Sequence, residues 1–505
     1  MLDLQIDTPR LTRLRERSFA ELRKAMPPAN FGAAVRCSAR LQEALPNRSD
    51  LTSNLVMVAY GGGKDSSYTL AFVRMIQLIL LRIFGGTFRL RSVTNRHVGM
   101  PQAVLENIHR VYEALRLFDD PDCELLLVEG DEIAPFRVDK PPSERLRRRN
   151  RFDILMTGHR TFGDPRPTFC NACNLSMANS FGLGAAYGDG VDLFITGDSP
   201  REQRAYTVWV RRLAQQVDPA AAATPESGFK GFMTDLDRIA MAYFTDIYGA
   251  EDAAVLCERR IATDVPARMR FFSIYDDTEY AAGDHFQLLT EYLGFQFDEL
   301  AFSFTESDCG NPTLMAHLRG LKCERVFGRS YEEGVKEYVQ FAVGLMRKKD
   351  FPAPLIEAMV ARYATPQAVA TMREVASQFA LDCYGLSDEQ LICMLYSPFT
   401  QAGASLDRYV AREQPRLLGR QEAIRAFLGG EVPSDPRLAE ELERISGLAS
   451  GPLRLLYGSP IRGTFGRKDP ADLIQAGLAG DPHKGVIRTQ HAPVGPVITE
   501  QISGR

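Results

Sequence analysis

Several things are scarce in this 505-residue chain, and each shortage removes a class of explanation. Neither sign of charge is in excess: 60 Lys and Arg against 64 Asp and Glu leave a net −4 at pH 7. Nothing therefore drives the whole molecule toward nucleic acid. One local basic run, "SERLRRRNR" at 143–151, reads as a solvated loop or helix face. The opening "MLDLQIDTPRLTRLRERSF" has no apolar stretch of the kind a secretory signal needs. A long uninterrupted apolar run is missing too. The best candidate, "TLAFVRMIQLILLRIF", contains Arg74, Gln77 and Arg82 and reads as a buried or amphipathic helix rather than a membrane span. An ordered cysteine framework is also absent: the nine cysteines are odd in number and scattered, with only Cys170 and Cys173 close together. The expectation is a cytoplasmic protein with reduced thiols and no membrane partner.

The composition, 45% apolar and 25% charged, is that of an ordinary globular protein, and the length implies two or three domains. Residues 1–50 carry Arg-rich helical patterns broken by "MPPANFG". The pattern then changes. "NLVMVAY" (54–60), "FRLRSVT" (88–94), "CELLLVEG" (123–130) and "VDLFITG" (191–197) read as strands, with helices reaching about Phe84 and spanning 101–118 between them. This alternation predicts an α/β domain over 51–215, with a parallel sheet covered by helices. Residues 131–169 read as an insertion forming a surface excursion or lid. Residues 216–460 look mainly helical, with no fixed-period repeat. The Gly- and Pro-rich stretch 461–505 reads as a loosely ordered, flexible tail.

Three consecutive glycines, Gly61, Gly62 and Gly63, stand between the first strand and its helix, followed by Lys64, Asp65, Ser66 and Ser67. A strand, a glycine turn and a helix start together form an anion site. Glycine lets a phosphate approach the backbone, and the helix N-terminus presents N–H groups and partial positive charge. A Walker A loop needs Ser or Thr after the lysine and here Asp65 follows, so that motif fails. A carboxylate inside an anion cradle points to Mg²⁺ bridging to a polyphosphate.

"GGGKDS" (61–66) resembles the S-G-G-x-D-S loop of the PP-loop ATP pyrophosphatase superfamily (adenine nucleotide alpha hydrolase-like). Gly61 stands where that family usually has Ser, which removes one hydroxyl from the pyrophosphate cradle. "FITGDSPREQ" (194–203) is similar to the family's late strand ending in Gly-His, with Asp198 in place of the His, and Val93 to Arg96 fall where the family lines its adenine pocket. The resemblance covers roughly 54–210. It implies a Rossmann-like PP-loop fold and cleavage of ATP between the α and β phosphates. AMP is then attached to a carbonyl or amide oxygen, which sulfur or nitrogen displaces. Lys64, Asp65 and Ser66 would be catalytic. Gly61, Gly62, Gly63, Lys64, Asp65, Ser66, Ser67, Val93 and Gly197 would bind the nucleotide.

Cys170 and Cys173 lie about 24 residues before Gly197. The C-x-x-C spacing can place two thiolates on one metal. Ahead of the late strand the pair resembles the tRNA 2-thiocytidine-type iron–sulfur sulfurtransferases. That resemblance implies a distant third cysteine and a [4Fe–4S] cluster with one iron left to bind sulfide or substrate. Cys309, in "TESDCGNP", is the candidate third ligand and Cys323, in "GLKCERV", its competitor. A structural Zn²⁺ or two unliganded thiols are the alternatives. Cys257, Cys383 and Cys393 read as core residues. His159 reads as surface or substrate-facing, and His97 as close to the nucleotide. Arg201 and Arg204 are either phosphate neutralisers or solvated.

Three functions remain. The first is an ATP-dependent sulfurtransferase acting on a small molecule, a nucleobase or nucleotide, with tRNA as the alternative acceptor. Its sulfur would come from a cysteine desulfurase or free sulfide, and a homodimer is admitted. The second is an amidotransferase of the same superfamily, taking ammonia from a separate glutaminase partner. The third is a nucleotide- or redox-sensing protein without turnover.

Overall fold

The computed structural model describes residues 8–198, 200–220, 228–250, 252–278, 285–296, 311–348, 351, 353–432, 436–464, 469, 471–481, 484–491 and 495–503. The N-terminal helices α1 (Thr8–Ala25) and α2 (Pro28–Ala44) precede an alternation of β1 (Leu55–Ala59), α3 (Lys64–Phe84), β2 (Arg89–Asn95), α4 (Gln102–Ala114) and β3 (Cys123–Glu129). Next come β4 (Glu132–Pro135), α5 (Glu144–Arg160), α6 (Asn171–Ala186), β5 (Leu193–Ile195), α7 (Pro200–Val217), α8 (Gly228–Tyr248) and β6 (Arg270–Phe271). The sheet order is β4-β3-β2-β1-β5-β6, parallel except for β4. β1 lies between β2 and β5, so the chain leaves β1 in one direction and later returns on its other side. That reversal is the position where open α/β sheets bind ligands, outside the carboxyl ends of their strands.

Side-chain alternation along β1 divides the interior. Val56 and Val58 join a core with α2, α3 and α4, whereas Leu55 and Met57 join the core beneath α6 and α8. The fit on the second face is close. A β-carbon on Gly184 of α6 would lie 2.8 Å from Val93 and 3.1 Å from the Met57 sulfur. The same second core runs without a break into the C-terminal helices, through Met315, Leu391 and Leu453 to Ile502. α3 is the one helix among the described residues long and apolar enough to cross a membrane. Of its most apolar window 78% is buried inside the fold, as a core helix is.

Two expectations are corrected. The stretch 131–169 is not a surface excursion. β4 pairs with β3 across a hairpin in which Gly130 takes φ +64°, and the second half of α5 is buried from Asp153 to Arg160. Nor is 461–505 simply a loose tail: it carries a helix at Leu473–Gly480 and a two-stranded antiparallel sheet of β7 (Lys484–Gln490) and β8 (Val497–Ser503).

His159, expected at the surface, is fully buried in α5, with Nε2 3.3 Å from the Ser446 carbonyl. Burial pulls its imidazole from the ordinary 6.5 down to about 4, against the pull of that carbonyl. Between those values the unfolded chain takes up a proton that the folded chain refuses, so stability falls as pH drops through the window. In urea titrations His159→Gln should reduce the pH slope of unfolding free energy there by about one proton. An unchanged slope would contradict this account.

Candidate functional site

The glycine turn is built by the strands around it. After β1, Tyr60 donates its N–H to the Val93 carbonyl at 2.9 Å and accepts from the Thr94 hydroxyl at 2.8 Å, which carries the chain to the sheet's carboxyl edge. There Gly62 takes φ +78°, and a β-carbon would meet Ile108 and Val104 of α4 at 2.7–2.9 Å. Only glycine fits both the backbone and the space. Gly63 is the N-cap of α3 and brings no side chain to close the helix end. The first N–H groups of a helix lack intrahelical acceptors, so such an end is suited to an anion. Gly61 and Gly63 are half-buried and Gly62 is buried.

Lys64 is buried, with Nζ 2.6 Å from Asp65 Oδ1 and 4.9 Å from the centre of the Phe351 ring. Phe351 thus brings the C-terminal part of the chain onto the loop. The Asp65 side chain is 46% exposed, and among the described residues Lys64 donates to its Oδ1 and not to Oδ2. An oxygen-ligand set for Mg²⁺ fits this carboxylate, which stands at the edge of the anion cradle. The Ser66 hydroxyl donates to the Gly63 carbonyl at 3.0 Å, and the Ser67 hydroxyl lies buried 3.0 Å from that of Tyr60.

The end of β5 closes on this turn. A β-carbon on Gly197 would lie 3.2 Å from both N and Cα of Ser66, so any side chain there would require the turn to give by a few tenths of an ångström. Tyr275 fastens the junction: its hydroxyl is 3.1 Å from the Gly197 carbonyl and 3.3 Å from the Thr69 hydroxyl. Burial pushes that phenol far up, and the nearby charges of Asp65 and Asp198 push it the same way, so it stays a neutral donor. Gln203 at the start of α7 donates to the Asp198 carbonyl at 3.0 Å. Beside it opens a cleft of about 560 Å³, whose lining includes Gln203, Arg204, Arg211 and Ser273. Its volume is that of a small-ligand site. Arg201 is exposed and does not line it.

Val93 does not line a pocket. Its side chain is packed under Gly184 and its carbonyl is taken by Tyr60. His97 is buried beneath Tyr384 rather than open to a ligand. Two charged residues stand at the neighbouring strand ends: Arg96, at the end of the segment expected to line the adenine pocket, and Glu129, which sequence reasoning passed over. Arg96 follows β2 and Glu129 ends β3, 3% and 5% exposed, with Nε and Oε1 3.6 Å apart. Neither Glu129 oxygen, nor Nε or Nη1 of Arg96, has a hydrogen bond. Burial and the charge of Arg147 pull the guanidinium below its ordinary range, and Glu129 opposes them. Buried polar atoms left unsatisfied in this way are unusual and mark a place where a polar ligand would be stabilised.

The cysteine pair stands on the same edge. α6 runs antiparallel to β2: the Ser176 hydroxyl is 3.3 Å from Asn95 Oδ1 at the strand's end, whereas the Gly184 carbonyl accepts from Arg91 nearer its beginning. Cys173, one turn before Ser176, therefore lies beyond the carboxyl edge. Cys170 is buried at the junction of α6 with a wide π-type turn at Arg166–Cys170, and Cys173 is half-buried. Cys309 lies outside the described residues. Cys323 is buried against Arg329, Glu337 and Gly334, and burial raises its thiol to about 11. Among the described residues no group of three metal-ligating side chains forms. Of the three cysteines that the resemblance implies, Cys170 and Cys173 are described and Cys309 is not. Cys393 is buried and Cys383 half-buried, but Cys257, expected in the core, is exposed at the end of a five-residue helix.

No protein-family model matches the chain, and neither does any curated protein or solved structure. The class is defined by the fold alone: an α/β protein with a six-stranded, mostly parallel sheet, compatible with a Rossmann-like domain, joined to a large helical part.

Proposed function

We propose that the protein is an ATP-dependent, AMP-forming transferase that activates a carbonyl oxygen of a nucleobase or nucleotide and replaces that oxygen with sulfur. The observation that supports it most is the seating of Gly197 on the Ser66 backbone. It joins two segments about 130 residues apart, each similar to a part of one ATP-cleaving site. In this reading the N–H groups of the glycine turn and of the first turn of α3 receive the β and γ phosphates. Lys64 carries the positive charge that meets pyrophosphate as it leaves, and the Ser66 hydroxyl, on turning from the Gly63 carbonyl, adds a donor. Mg²⁺, bound with the nucleotide and held by Asp65, would supply further charge neutralisation. The acceptor oxygen attacks the α phosphorus and the bond to the β-phosphate oxygen breaks. A sulfur nucleophile then adds at the activated carbon, and AMP leaves with the oxygen.

The position of Cys170 and Cys173 beyond the same strand edge supports sulfur rather than hydrolysis. With Cys309 as third ligand, a [4Fe–4S] cluster would supply sulfide held for attack. The donor would be a cysteine desulfurase or free sulfide, and tRNA is the alternative acceptor. A second reading, ammonia transfer with a glutaminase partner, draws support from the two-cysteine count among the described residues.

The test is pyrophosphate release from ATP, alongside iron and acid-labile sulfide on anaerobically purified protein and on Cys170→Ala. Close to four iron and four sulfide per chain, lost in the variant, is the expected result. One zinc or no metal, with pyrophosphate still released, would transfer the assignment to amide formation. No pyrophosphate with any nucleobase, nucleotide or tRNA would end the transferase reading.

A further inference from the structure

The basic run 143–151 forms the first half of α5, and one of its faces lines a cleft of about 410 Å³. Arg145, Arg148, Arg149, Arg151 and Arg259 line it, against a single carboxylate, Glu258. The charges are not all neutralised internally. Arg145 pairs with Asp131 at 3.0 Å, Arg259 pairs with Asp153 at 2.9 Å, and Glu258 is shared between these two arginines at 3.4 and 3.6 Å. Arg151 bonds the carbonyls of Tyr384 and Gly385 and the side chain of Gln390, none of them charged. Among the described residues no hydrogen bond or ion pair is formed by Arg148 or Arg149, although the charges of Asp153 and Glu258 reach Arg149. Burial holds both Arg149 and Arg151 below the ordinary guanidinium range. Gathering five guanidiniums, some partly desolvated, around fewer carboxylates is unfavourable, and a bound dianion would relieve it.

The cleft also has an apolar wall of Phe152, Leu155 and Val255, with Phe152 stacked on Tyr248 at 5.2 Å and 13°. It adjoins the sheet edge already described. Nη1 of Arg149 would lie 3.4 Å from a β-carbon on Gly130, the residue after β3, while the Gly130 carbonyl accepts from Asn179 of α6. The neighbouring Asn150 accepts from the N–H of Val98, just past β2. The cleft and the cysteine-bearing helix thus meet at one strand end.

We propose that this cleft binds the phosphate group of a small phosphorylated acceptor, a nucleoside monophosphate whose flat base lies on the apolar wall. A small ligand is favoured over RNA because the arginines converge on one concavity of small-molecule volume with a hydrophobic side, instead of forming a band along the surface. The acceptor role rests on the transferase reading; the binding does not.

The test is calorimetric titration of the full chain, without ATP, with uridine monophosphate, uridine, inorganic phosphate and a short single-stranded RNA. Uridine monophosphate should bind more tightly than phosphate or uridine, and Arg148→Ala/Arg149→Ala should weaken it by at least about tenfold, as expected for lost charge-assisted hydrogen bonds. Exposed Arg148 also permits Arg148→Glu alone, which should weaken it without loss of fold. Arg89→Ala, at the opposite end of β2, should bind as the unaltered protein does. Equal binding by the double variant, affinity for phosphate alone, or affinity for RNA without the mononucleotide would each overturn the proposal. Mononucleotide binding lost in the variants, but without any pyrophosphate release from ATP, would keep the cleft and remove only its role in transfer.

Discussion

Lys64→Ala is expected to lower ATP-dependent pyrophosphate release by about 100-fold or more, the usual scale for removing one charge-stabilising group from a reacting centre. In the proposed reading the lysine lies where leaving-group charge would develop; it stands at the first position of α3, with its ammonium held between Asp65 and the Phe351 ring. That placement fixes the head group before any ligand arrives, so little is lost in ordering it when charge appears. The loss should fall mainly on kcat, since the backbone N–H groups still bind ground-state phosphate. Lys64→Arg should recover part of the rate by restoring the charge with the wrong shape. Asp65→Asn should act differently, raising the Mg²⁺ concentration needed for half-maximal rate, because Oδ2 would no longer offer a charged ligand. In Lys64→Ala the remaining Asp65 carboxylate is half-exposed and stays solvated, so loss of the ion pair itself should move the unfolding midpoint little. An unchanged rate in Lys64→Ala would mean that the turn does not hold the leaving phosphates.

The alternation from β1 to β3 was legible in the sequence because each element is local. An apolar run followed by glycines and a long apolar helix has few other solutions, and α3 ends at Gly85 in the left-handed region that glycine favours. The second half of α5 was not legible. Asp153, Thr157, His159 and Arg160 look like surface residues in sequence, yet each is buried against a partner far along the chain. Those partners are Arg259, Tyr243, the Ser446 carbonyl and Asp246. Polar groups can be buried when they are hydrogen-bonded or ion-paired, and such pairings leave no periodic trace. The C-terminal hairpin was obscured differently: the Gly and Pro content of its surroundings outweighed the apolar positions in two seven-residue strands.

At the site the same division holds. The glycine turn carries its chemistry in consecutive residues, and Gly62 is required by a local conformation and by contact with the next helix but one along the chain. Tyr275, which ties Gly197 to Thr69, lies about 200 residues beyond α3 and has nothing around it in sequence to mark it. Arg96 and Glu129 become neighbours only because β2 and β3 are adjacent in parallel, which puts their carboxyl ends side by side. Val93 shows the converse. A position chosen by alignment to a family pattern is one residue type in a strand, and the face it takes is decided by the register of the sheet, here toward α6.

Asp120→Ala is expected to cost about 3–5 kcal/mol, the range for removing one partner of a buried ion pair and leaving the other charge uncompensated. Asp120 is fully shielded, and its two oxygens are engaged by Nε and Nη2 of Arg15, at 3.0 and 2.6 Å, and by Arg74 at 2.8 Å. Arg74 is itself 1% exposed within α3, so it cannot reach water when the carboxylate is gone. Arg15 belongs to α1, which makes this carboxylate one of several polar links between the N-terminal helices and the sheet domain, beside Arg15–Asp122 and Glu21–Arg116. The variant should therefore open 8–44 to proteolysis before the rest of the chain. The acid response has a defined sign. Burial alone would raise the carboxyl, but the hydrogen bond from Arg15 and the charges of Arg74 and Arg15 outweigh it and hold it below the ordinary 3.8. The stability it contributes is thus fully present above that value and is lost as pH falls through the lower folded one. Urea unfolding at pH 7 and at pH 3 separates the two forms. The difference between unaltered protein and Asp120→Asn should be largest at pH 7 and shrink in acid. A difference under about 1 kcal/mol at pH 7, the scale of an exposed pair, would show that Asp120 does not fasten α1.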